Sequence, residues 1–316
     1  MIGSDLNKAI QLLEADELVA IPTETVYGLG GNAFSDRAVV KIFAAKNRPS
    51  FDPLIVHTSH WERLEELVQE IPEKIQLLAE AFMPGPLSLL LPKKDRIPDI
   101  VTSGSPIVAV RIPAHPLTQQ LLSQLSFPLA APSANPFGYI SPTTARHVEQ
   151  QLGTIIPYIL DGGACTIGLE STIVGMEDGQ PTVFRKGGIS VEAIEQRIGK
   201  VKVKSHSTSN PQAPGMLKSH YAPRVPLELG EISRLIQKYA GQRLGILSFQ
   251  NPYPEIPADQ QVILSSEGSF SEAARQLFAG LRYLDNLEID RIVAELLPEK
   301  DLGRAINDRL RRASAG

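Results

Sequence analysis

The sequence predicts an α/β protein with two domains, and three observations lead to this prediction. First, 316 residues are enough for one large hydrophobic core and a smaller second one. Second, apolar runs of strand length alternate with segments of helical periodicity, as is typical of α/β folds. Third, residues 205–223 lack periodicity and are rich in Ser, Pro and small residues, which is typical of a connector. We therefore expect a domain over 1–204, a linker over 205–224 and a smaller domain over 225–316.

The elements of the larger domain follow from periodicity and from residues that begin or end helices. Asp5 can cap an amphipathic helix over 5–15, and Ser35 or Asp36 can cap a second helix. The prolines that follow Lys46 prevent this second helix from continuing. The other predicted elements are strands at 18–22, 87–91, 107–111, 128–131 and 156–160, a strand that ends at His57, and a helical stretch from about Trp61 that is broken at Pro72.

The smaller domain shows the same alternation over a shorter length. Because strands that are separated by helices usually run parallel, this order predicts a small three-layer domain with a parallel sheet. Its predicted strands lie at 244–249, 261–265 and 291–296, and its predicted helices lie near 231–240, 269–286 and 302–313.

Composition and charge exclude several classes of protein. The formal net charge of −4 gives no general attraction to a nucleic-acid backbone, so an anion site would need a few locally placed Lys and Arg. The single cysteine, Cys165, excludes an internal disulfide and a cysteine-cluster metal site, and we expect it to be an inert packed thiol. No leader-like N-terminus and no apolar run of about 18 residues is present. We therefore expect a cytoplasmic protein with no membrane association.

The familiar phosphate-binding motifs give a largely negative result. The sequence has no P-loop. Residues 28–33 match G-x-G-x-x-A, and Asp52 lies near the spacing of the ribose-binding acid of a dinucleotide fold. However, five residues separate the first strand from the glycines, and Asp52 lies in a loop bounded by prolines. This context disfavours a dehydrogenase.

A segment of unusual composition, I-P-T-E-T-V-Y-G-L-G at residues 21–30, follows the first predicted strand. Thr23, Thr25 and Tyr27 bring three hydroxyls to the end of that strand, and Glu24 brings a carboxylate. The segment alone does not explain why one strand end should carry so many short hydrogen-bonding groups.

Residues that can carry positive charge, at helix and strand ends, form a second set of candidates. Lys46 and Arg48 precede Pro49 and point the same way if the chain is extended, which would make an anion clamp. The alternative is a solvated helix end near the helix dipole. Arg111 ends a buried strand pattern, where a guanidinium needs an acidic partner or an anionic ligand. His57 also ends an apolar run, a position typical of a packed histidine.

Four further segments, 131–138, 141–144, 168–174 and 183–187, place polar side chains at strand ends and turns. The hydroxyls and backbone amides of the first two segments suit phosphate oxygens and an adenine edge, although turn and capping chemistry would also explain either of them. The fourth segment ends with two cations, Arg185 and Lys186. Glu170 is open to two interpretations, a general acid or base and a carboxylate paired with an arginine. Together the candidates predict a groove of hydroxyls and four or five cations, without a metal-binding cluster, that holds a polyanion.

The order of these segments resembles that of the YrdC-like threonylcarbamoyl-AMP synthases. The tail segment Gly303–Leu310 and the connector segment Ser219–Pro223 are similar to the longer, two-domain branch of that family, so the resemblance covers nearly the whole chain. The matching motifs are, in order, Pro22–Gly30, Lys46-x-Arg48-Pro49, Pro132–Asn135, Ser141–Thr143, Gly168–Thr172 and Arg185–Gly187.

The resemblance implies a fold, a reaction and partners. The fold is a twisted mixed sheet flanked by helices, with a concave groove, followed by a Rossmann-like three-layer domain. The reaction joins L-threonine, bicarbonate or CO₂, and ATP with Mg²⁺ to give threonylcarbamoyl-AMP and pyrophosphate. The product serves threonylcarbamoyladenosine formation at position 37 of tRNA, so the downstream transferase machinery and tRNA are the implied partners of a monomeric enzyme.

The resemblance also implies residue roles. A zwitterionic threonine with a hydroxyl suits the short polar groups at the first strand end. Two positions depart from the family pattern, Asp52 where Asn is frequent and Ile107 where a hydroxyl residue is frequent. The implied threonine residues are Thr25, His57, Arg111, Ser133 and Ser171; the implied catalytic residues are Lys46 and Arg48; the implied ATP residues are Arg48, Asp52, Asn135, Thr143, Arg185 and Tyr221, the last arriving from the linker.

An alternative from another class is an RNA-binding or ribosome-associated factor that uses a basic groove to hold duplex RNA. Apart from Arg309, Arg311 and Arg312 near the C-terminus, however, Lys and Arg are scattered, and no set of aromatic and basic residues suited to base stacking is evident. A scaffold role for the second domain is a third interpretation and is compatible with the synthase function.

Overall fold

The computed structural model describes residues 1–204 and 220–315. The described residues form two sheets flanked by helices, which confirms the predicted α/β class. The predicted linker is described only over 220–224, since 205–219 lie outside the described residues, and the domain boundaries stay a prediction. None of the helices in these two ranges is both long enough and apolar enough to cross a bilayer.

The larger domain contains an eleven-stranded mixed sheet with the strand order β1-β8-β2-β3-β7-β4-β6-β5-β9-β10-β11 within the described residues. Its strands are β1 (Ile2–Gly3), β2 (Val19–Ile21), β3 (Gly28–Asn32), β4 (Ile55–His57), β5 (Leu87–Pro92), β6 (Ile107–Arg111), β7 (Leu129–Ala130), β8 (Tyr158–Leu160), β9 (Thr172–Glu177), β10 (Gln180–Arg185) and β11 (Lys202–Val203). Its helices are α1 (Leu6–Glu14), α2 (Asp36–Lys46), α3 (Trp61–Glu65), α4 (Glu73–Phe82), α5 (Asp99–Thr102), α6 (Pro116–Gln124), α7 (Ala145–Leu152) and α8 (Val191–Ile198).

Local capping explains where the first two helices begin. The Asp5 side chain accepts a hydrogen bond from the Lys8 amide, and the Ser35 side chain accepts one from the Ala38 amide. Each cap satisfies an amide that has no partner within its own helix. The Asp5 cap was predicted from the sequence, and Ser35 was one of the two residues predicted to cap α2. α2 ends at Lys46, and its C-cap residue, Asn47, has a left-handed φ of 49°.

Four helices of the larger domain, α4, α5, α6 and α8, were not predicted, and α4 and α6 show one reason. The helical stretch expected from Trp61 consists of the short helix α3, and a separate helix, α4, starts directly after Pro72. α6 has Pro116 in its first turn, where a missing amide hydrogen is tolerated. In both segments a proline lies at the start of the helix. Because proline was interpreted only as a helix breaker, the helices that begin directly after Pro72 and at Pro116 were not predicted.

The second sheet is fully parallel, with the order β12-β15-β13-β14 among the described residues. The predicted strands correspond to β13 (Leu244–Ser248), β14 (Gln261–Ile263) and β15 (Arg291–Ala294), while β12 (Leu227–Leu229) was not predicted. The helices of this domain are α9 (Ile232–Lys238), α10 (Phe270–Asp285), α11 (Gly303–Ala313) and a 3₁₀ turn at Ala258–Gln260.

The two faces of this second sheet are covered by different helices. α9 packs through Ile232 and Leu235 on the face that carries Ile246. α10 and α11 pack on the face that carries Leu247 and Ile292. Helices therefore lie on both sides of a parallel sheet, as predicted.

The two domains share one apolar cluster, which contains Val26 and Leu169 from the larger domain together with Leu277 and Phe278 from α10. Arg282 of α10 adds polar contacts across the same boundary. Its side chain is buried and donates hydrogen bonds to the carbonyl oxygens of Ile140 and Ser141 and to Gln151 Oε1. The second domain therefore fixes the 140–141 segment of the larger domain through hydrogen bonds from α10.

We predict that Arg282→Met destabilises the protein by about 2–4 kcal/mol, because buried carbonyl oxygens lose their charged donor. Urea denaturation followed by circular dichroism measures this effect. The matched control is Tyr283→Phe on the same helix, which removes one exposed hydrogen bond to the Asp259 carbonyl and should cost less than about 1 kcal/mol. An equal decrease in the free energy of unfolding in Arg282→Met and Tyr283→Phe would contradict the prediction.

Candidate active site

Polar segments from distant parts of the chain meet around one partly open cavity of about 50 Å³. Since a buried water needs about 10–15 Å³ of such space, the cavity has room for a few water molecules. Segments from both described ranges contribute to its wall. The lining residues are Thr23, Thr25, Val26, Gly28, Arg48, Ile55, His57, Arg111, Ala131, Pro132, Ser133, Glu170, Ser171, Arg185, His220 and Tyr221.

The residues predicted from the sequence divide into two groups in the structure. Eight of them line the cavity: Thr25, Arg48, His57, Arg111, Ser133, Ser171, Arg185 and Tyr221. The other four are buried but lie outside this lining: Lys46, Asp52, Asn135 and Thr143. The cavity thus collects most of the predicted residues. Which ligand each of them contacts stays a prediction.

The segment after β2 forms a tight turn that fixes the first wall. Thr23 Oγ1 accepts hydrogen bonds from the amides of Thr25 and Val26, at 3.1 and 3.2 Å, and donates to the Val26 carbonyl at 2.6 Å. The Thr23 and Thr25 hydroxyl oxygens are 2.8 Å apart. Such side-chain bonds within a turn hold short hydroxyls in fixed positions.

Arg111, at the end of β6, has the acidic partner that its burial requires. Its Nη2 donates to Glu24 Oε1 at 2.6 Å, and its Nη1 donates to Thr25 Oγ1 at 2.9 Å. Its Nε donates to the Gly85 carbonyl at 3.1 Å. The guanidinium therefore orients the Thr25 hydroxyl beside the cavity. Glu24 was noticed in the sequence but was not predicted as a site residue.

His57, at the end of β4, is buried beside Arg111. Its Nδ1 lies 3.2 Å from the Ile55 carbonyl oxygen. Burial, reinforced by the charge of Arg111, lowers the pKa of His57 to about 3. The imidazole is therefore neutral at physiological pH, so Nδ1 donates to that carbonyl.

Lys46 and Arg48 are both buried, which excludes the solvated helix end as their environment. The predicted extended backbone was wrong, because Lys46 ends α2 and Asn47 turns the chain through a left-handed conformation. Lys46 Nζ donates to the carbonyls of Ser133 and Asn135. Burial, together with the nearby charge of Arg48, lowers the pKa of Lys46 well below its ordinary value.

Arg48 is held by the loop that follows it. Its Nε donates to the Asp52 carbonyl at 3.0 Å, and its Nη2 donates to the Pro53 carbonyl at 2.8 Å. The Asp52 carboxylate lies 2.9 Å from Nη2, and burial raises the pKa of Asp52 while Arg48 opposes that rise. Asp52 therefore acts as a counter-ion behind Arg48 rather than as part of the described lining.

Asn135 and Thr143 lie behind the cavity with defined partners. The Asn135 side-chain amide donates to the carbonyls of Pro136 and Tyr139 at 2.8 and 2.9 Å. Thr143 Oγ1 lies 3.3 Å from His147 Nδ1. These contacts stabilise the loops that carry Ser133 and Ser141. Neither Asn135 nor Thr143 is in the described lining of the cavity.

Another part of the wall combines Ser171 and Arg185. Arg185 donates from Nη2 to Ser171 Oγ at 2.9 Å and from Nε to the Ser171 carbonyl at 3.1 Å. Ser171 Oγ also lies 2.7 Å from the hydroxyl oxygen of Ser88, a residue of β5. Ser88 was not predicted, since a serine within the run L-S-L-L-L gives no local signal of a site.

Glu170 has the arginine partner that was one of its two interpretations. Glu170 Oε2 accepts from Arg309 Nε at 2.9 Å, and Oε1 accepts from Ser141 Oγ at 2.7 Å. Burial alone would raise its pKa, but Arg309, Arg185 and the Ser141 hydroxyl hold the pKa of Glu170 below its ordinary value. The side chain is therefore an ionised carboxylate. Its place in the lining was not predicted.

Tyr221 closes one side of the cavity and is itself almost completely buried. Its φ of 68° lies in the left-handed region, which costs about 1–3 kcal/mol for a residue of this type. Its ring stacks on Phe278 with centroids 5.5 Å apart and makes an edge contact with His220 at 4.2 Å. Packing of the Tyr221 ring against Phe278 of α10 thus helps to offset the strained backbone of Tyr221.

Of the three C-terminal arginines considered for RNA contact, Arg309 and Arg312 are buried. Arg311 is about half exposed and pairs with Glu299 at 2.5 Å. Among the residues that the structure describes, no group of three His, Cys, Asp or Glu side chains could hold a metal ion.

Two family models match consecutive parts of the chain. The Sua5/YciO/YrdC model, described as "Telomere recombination", matches residues 11–187. The model for the threonylcarbamoyl-AMP synthase C-terminal domain matches residues 189–315.

Two full-length relatives agree with these matches. The threonylcarbamoyl-AMP synthase of Pyrococcus abyssi is 41% identical over 97% of this chain and 93% of its own. That of Bacillus subtilis is 42% identical over 98% of this chain and 92% of its own. The chain belongs to the threonylcarbamoyl-AMP synthase family. Its match to the second model places it in the two-domain branch of that family, as its motifs predicted.

A solved member of the synthase family has the same fold. The crystal structure of Pyrococcus abyssi Sua5 complexed with L-threonine superposes with a TM-score of 0.92 at 41% identity, covering 98% of this chain and 94% of that chain. The similarity extends over both sheets, so the arrangement of the two domains is also that of this family member.

We predict that His57 contributes to the pH dependence of stability. Its neutral form favours the folded state, so this contribution is complete above pH 6.5 and is lost as the pH falls toward about 3. At about 1.4 kcal/mol per pH unit, the wild type should lose about 2 kcal/mol more than His57→Gln between pH 7 and pH 5.

The measurement is urea denaturation of both proteins at each pH. The carboxylates titrate in both the wild type and His57→Gln, so their effect cancels when the free energies of unfolding of the two proteins are subtracted. Parallel pH profiles of the wild type and His57→Gln would show that the imidazole does not resist protonation.

Proposed function

We propose that the protein is an L-threonylcarbamoyladenylate synthase, which converts L-threonine, bicarbonate or CO₂, and ATP to threonylcarbamoyl-AMP and pyrophosphate. The observation that carries the proposal is the single cavity that collects the family's separate polar motifs, in a chain similar over nearly its full length to synthases. The L-threonine in the related Pyrococcus abyssi structure supports threonine as the amino-acid substrate.

Threonine is assigned to the side of the cavity formed by Thr25, His57, Arg111 and Ser171, with Ser133 beside it. The hydroxyls of Thr25 and Ser171 are held in position by Arg111 and Arg185 respectively. A small zwitterion with its own hydroxyl is recognised best by short groups that need no reorganisation. The fixed donors and acceptors of this wall have that property.

The nucleotide is assigned to the side that carries Arg48 and Arg185, with Asp52, Asn135 and Thr143 behind the wall and Tyr221 above it. Lys46 and Arg48 are assigned as the catalytic cations. Because Lys46 donates to the carbonyls of Ser133 and Asn135, it can act by fixing that loop as well as by its charge. ATP enters as its Mg²⁺ complex, with the metal held mainly by phosphate and water oxygens.

The reaction requires positioning more than proton transfer. The threonine amine captures CO₂ to give a carbamate and releases a proton. A carbamate oxygen then attacks the α-phosphorus in line, and the bond from that phosphorus to the pyrophosphate oxygen breaks. Buried cations stabilise the charge that develops on the phosphates. Closure by Tyr221 would shelter the labile mixed anhydride from water.

The product would pass to the transferase machinery that modifies position 37 of tRNA. A monomeric, cytoplasmic enzyme fits this role, and these assignments remain predictions. The direct test is pyrophosphate release from ATP measured with and without L-threonine and bicarbonate. Release that needs both supports the synthase, and release that ignores threonine overturns it.

We predict that Arg48→Ala and Lys46→Ala each lower the turnover of threonylcarbamoyl-AMP by about 10²–10³-fold, since each removes a preorganised buried cation. The measurement is chromatographic detection of the product, with circular dichroism to establish folding. Lys41→Ala on the same helix is the control, because Lys41 pairs with Glu17 at the surface. Full turnover in folded Arg48→Ala and Lys46→Ala would remove both residues from the mechanism.

A further inference from the structure

Arg309 lies on α11 of the second domain, and its side chain is completely buried. It uses its donors in three directions: Nε to Glu170 Oε2 at 2.9 Å, Nη1 to Asp308 Oδ2 at 2.7 Å, and Nη2 to the Lys186 carbonyl at 2.8 Å. Two of these partners belong to the larger domain. A planar guanidinium can satisfy such divergent acceptors at once, whereas a lysine ammonium on a flexible stem cannot hold the same geometry.

Glu170 transmits this contact to the cavity. Its carboxylate lines the cavity and is shared between Arg309 and the Ser141 hydroxyl. It directly precedes Ser171, which lines the same cavity. The Arg309–Glu170 pair therefore fixes the 170–171 loop and ties it to the 141 segment.

Tyr221 receives a second contact from the same helix. The Arg309 guanidinium lies 5.1 Å from the centroid of the Tyr221 ring, and that of Arg312 lies 4.8 Å from it. Both distances are within the range of cation–π attraction. The ring that closes the cavity is thus held by α11, the helix that also holds Glu170.

We propose that Arg309 is a positioning residue for the synthase reaction, acting through Glu170 on the Ser141–Ser171 wall and through its ring contact on Tyr221. The inference rests on the proposed function and assigns the second domain a part in the site. Arg309 is not in the described lining of the cavity, and its contacts reach the cavity through Glu170 and Tyr221, which are in that lining. A buried ion pair is also weak evidence for a purely stabilising role, because desolvation offsets most of its attraction.

The test compares Arg309→Met and Arg309→Lys with the control Arg311→Met in the full chain. Arg311 is on the same helix but pairs with Glu299 at the surface. Threonylcarbamoyl-AMP formation is measured at a temperature at which circular dichroism shows every variant to be folded. We expect kcat/KM to fall about 30–100-fold in Arg309→Met, about 3–10-fold in Arg309→Lys, and less than twofold in Arg311→Met.

A double-mutant cycle separates positioning from general stability. If Arg309 acts mainly through Glu170, then adding Arg309→Met to Glu170→Gln should lower kcat/KM by less than about threefold further. A loss of thermal stability alone, with kcat/KM of folded Arg309→Met within twofold of the wild type, overturns the inference. Fully multiplicative losses in the cycle overturn it too.

The remaining outcomes separate failure of this inference from failure of the proposed function. If Arg309→Met does not fold, Arg309→Lys decides, and a rate within twofold of the wild type overturns the inference. An active wild type with an unaffected Arg309 variant leaves the proposed function intact and removes only this inference. A wild type that forms no product from threonine, bicarbonate and ATP overturns the proposed function itself, and this inference with it.

Discussion

The burial of positive charge beside one cavity is the constraint on which the site depends. A guanidinium removed from water is unfavourable by several kcal/mol unless its N–H groups find acceptors. Arg48 finds them in the carbonyls of Asp52 and Pro53, and Arg185 finds them on Ser171. Each of these bonds also fixes the loop that supplies the acceptor. The cations therefore hold the cavity wall in place, and both of them are part of that wall.

The same constraint joins the two domains. Arg282 and Arg309 both belong to helices of the second domain, and both are buried against acceptors of the first. Arg282 holds the carbonyl of Ser141, whereas Arg309 holds the Glu170 carboxylate that accepts from the Ser141 hydroxyl. The 141 segment is thus fixed from two helices at once. A chain with only the first sheet would have to satisfy these groups by other means.

The sequence was informative where the physical signal is local. Asp5 and Ser35 cap helices through bonds three residues along, and the strand end at 21–30 shows its hydroxyls directly. Contacts between residues that are far apart in the chain produce no local sequence pattern that identifies both partners. Glu170 and Arg309 are 139 residues apart, so the sequence could suggest an arginine partner for Glu170 but could not choose it. The left-handed Asn47 was missed because the following proline favoured an extended chain there.

The walls of the cavity differ in the kind of contact that holds them. Thr25, Ser171 and Arg48 are fixed by hydrogen bonds at 2.8–3.1 Å to neighbouring side chains or to backbone. Tyr221 is held instead by ring contacts and carries a left-handed backbone. Ring contacts are each worth about 0.5–2 kcal/mol, and Phe278, His220, Arg309 and Arg312 each make one with Tyr221, so together they can offset a backbone strain of about 1–3 kcal/mol. This wall therefore depends on α10 and α11 of the second domain, whereas Thr25, Ser171 and Arg48 depend on hydrogen bonds within the first.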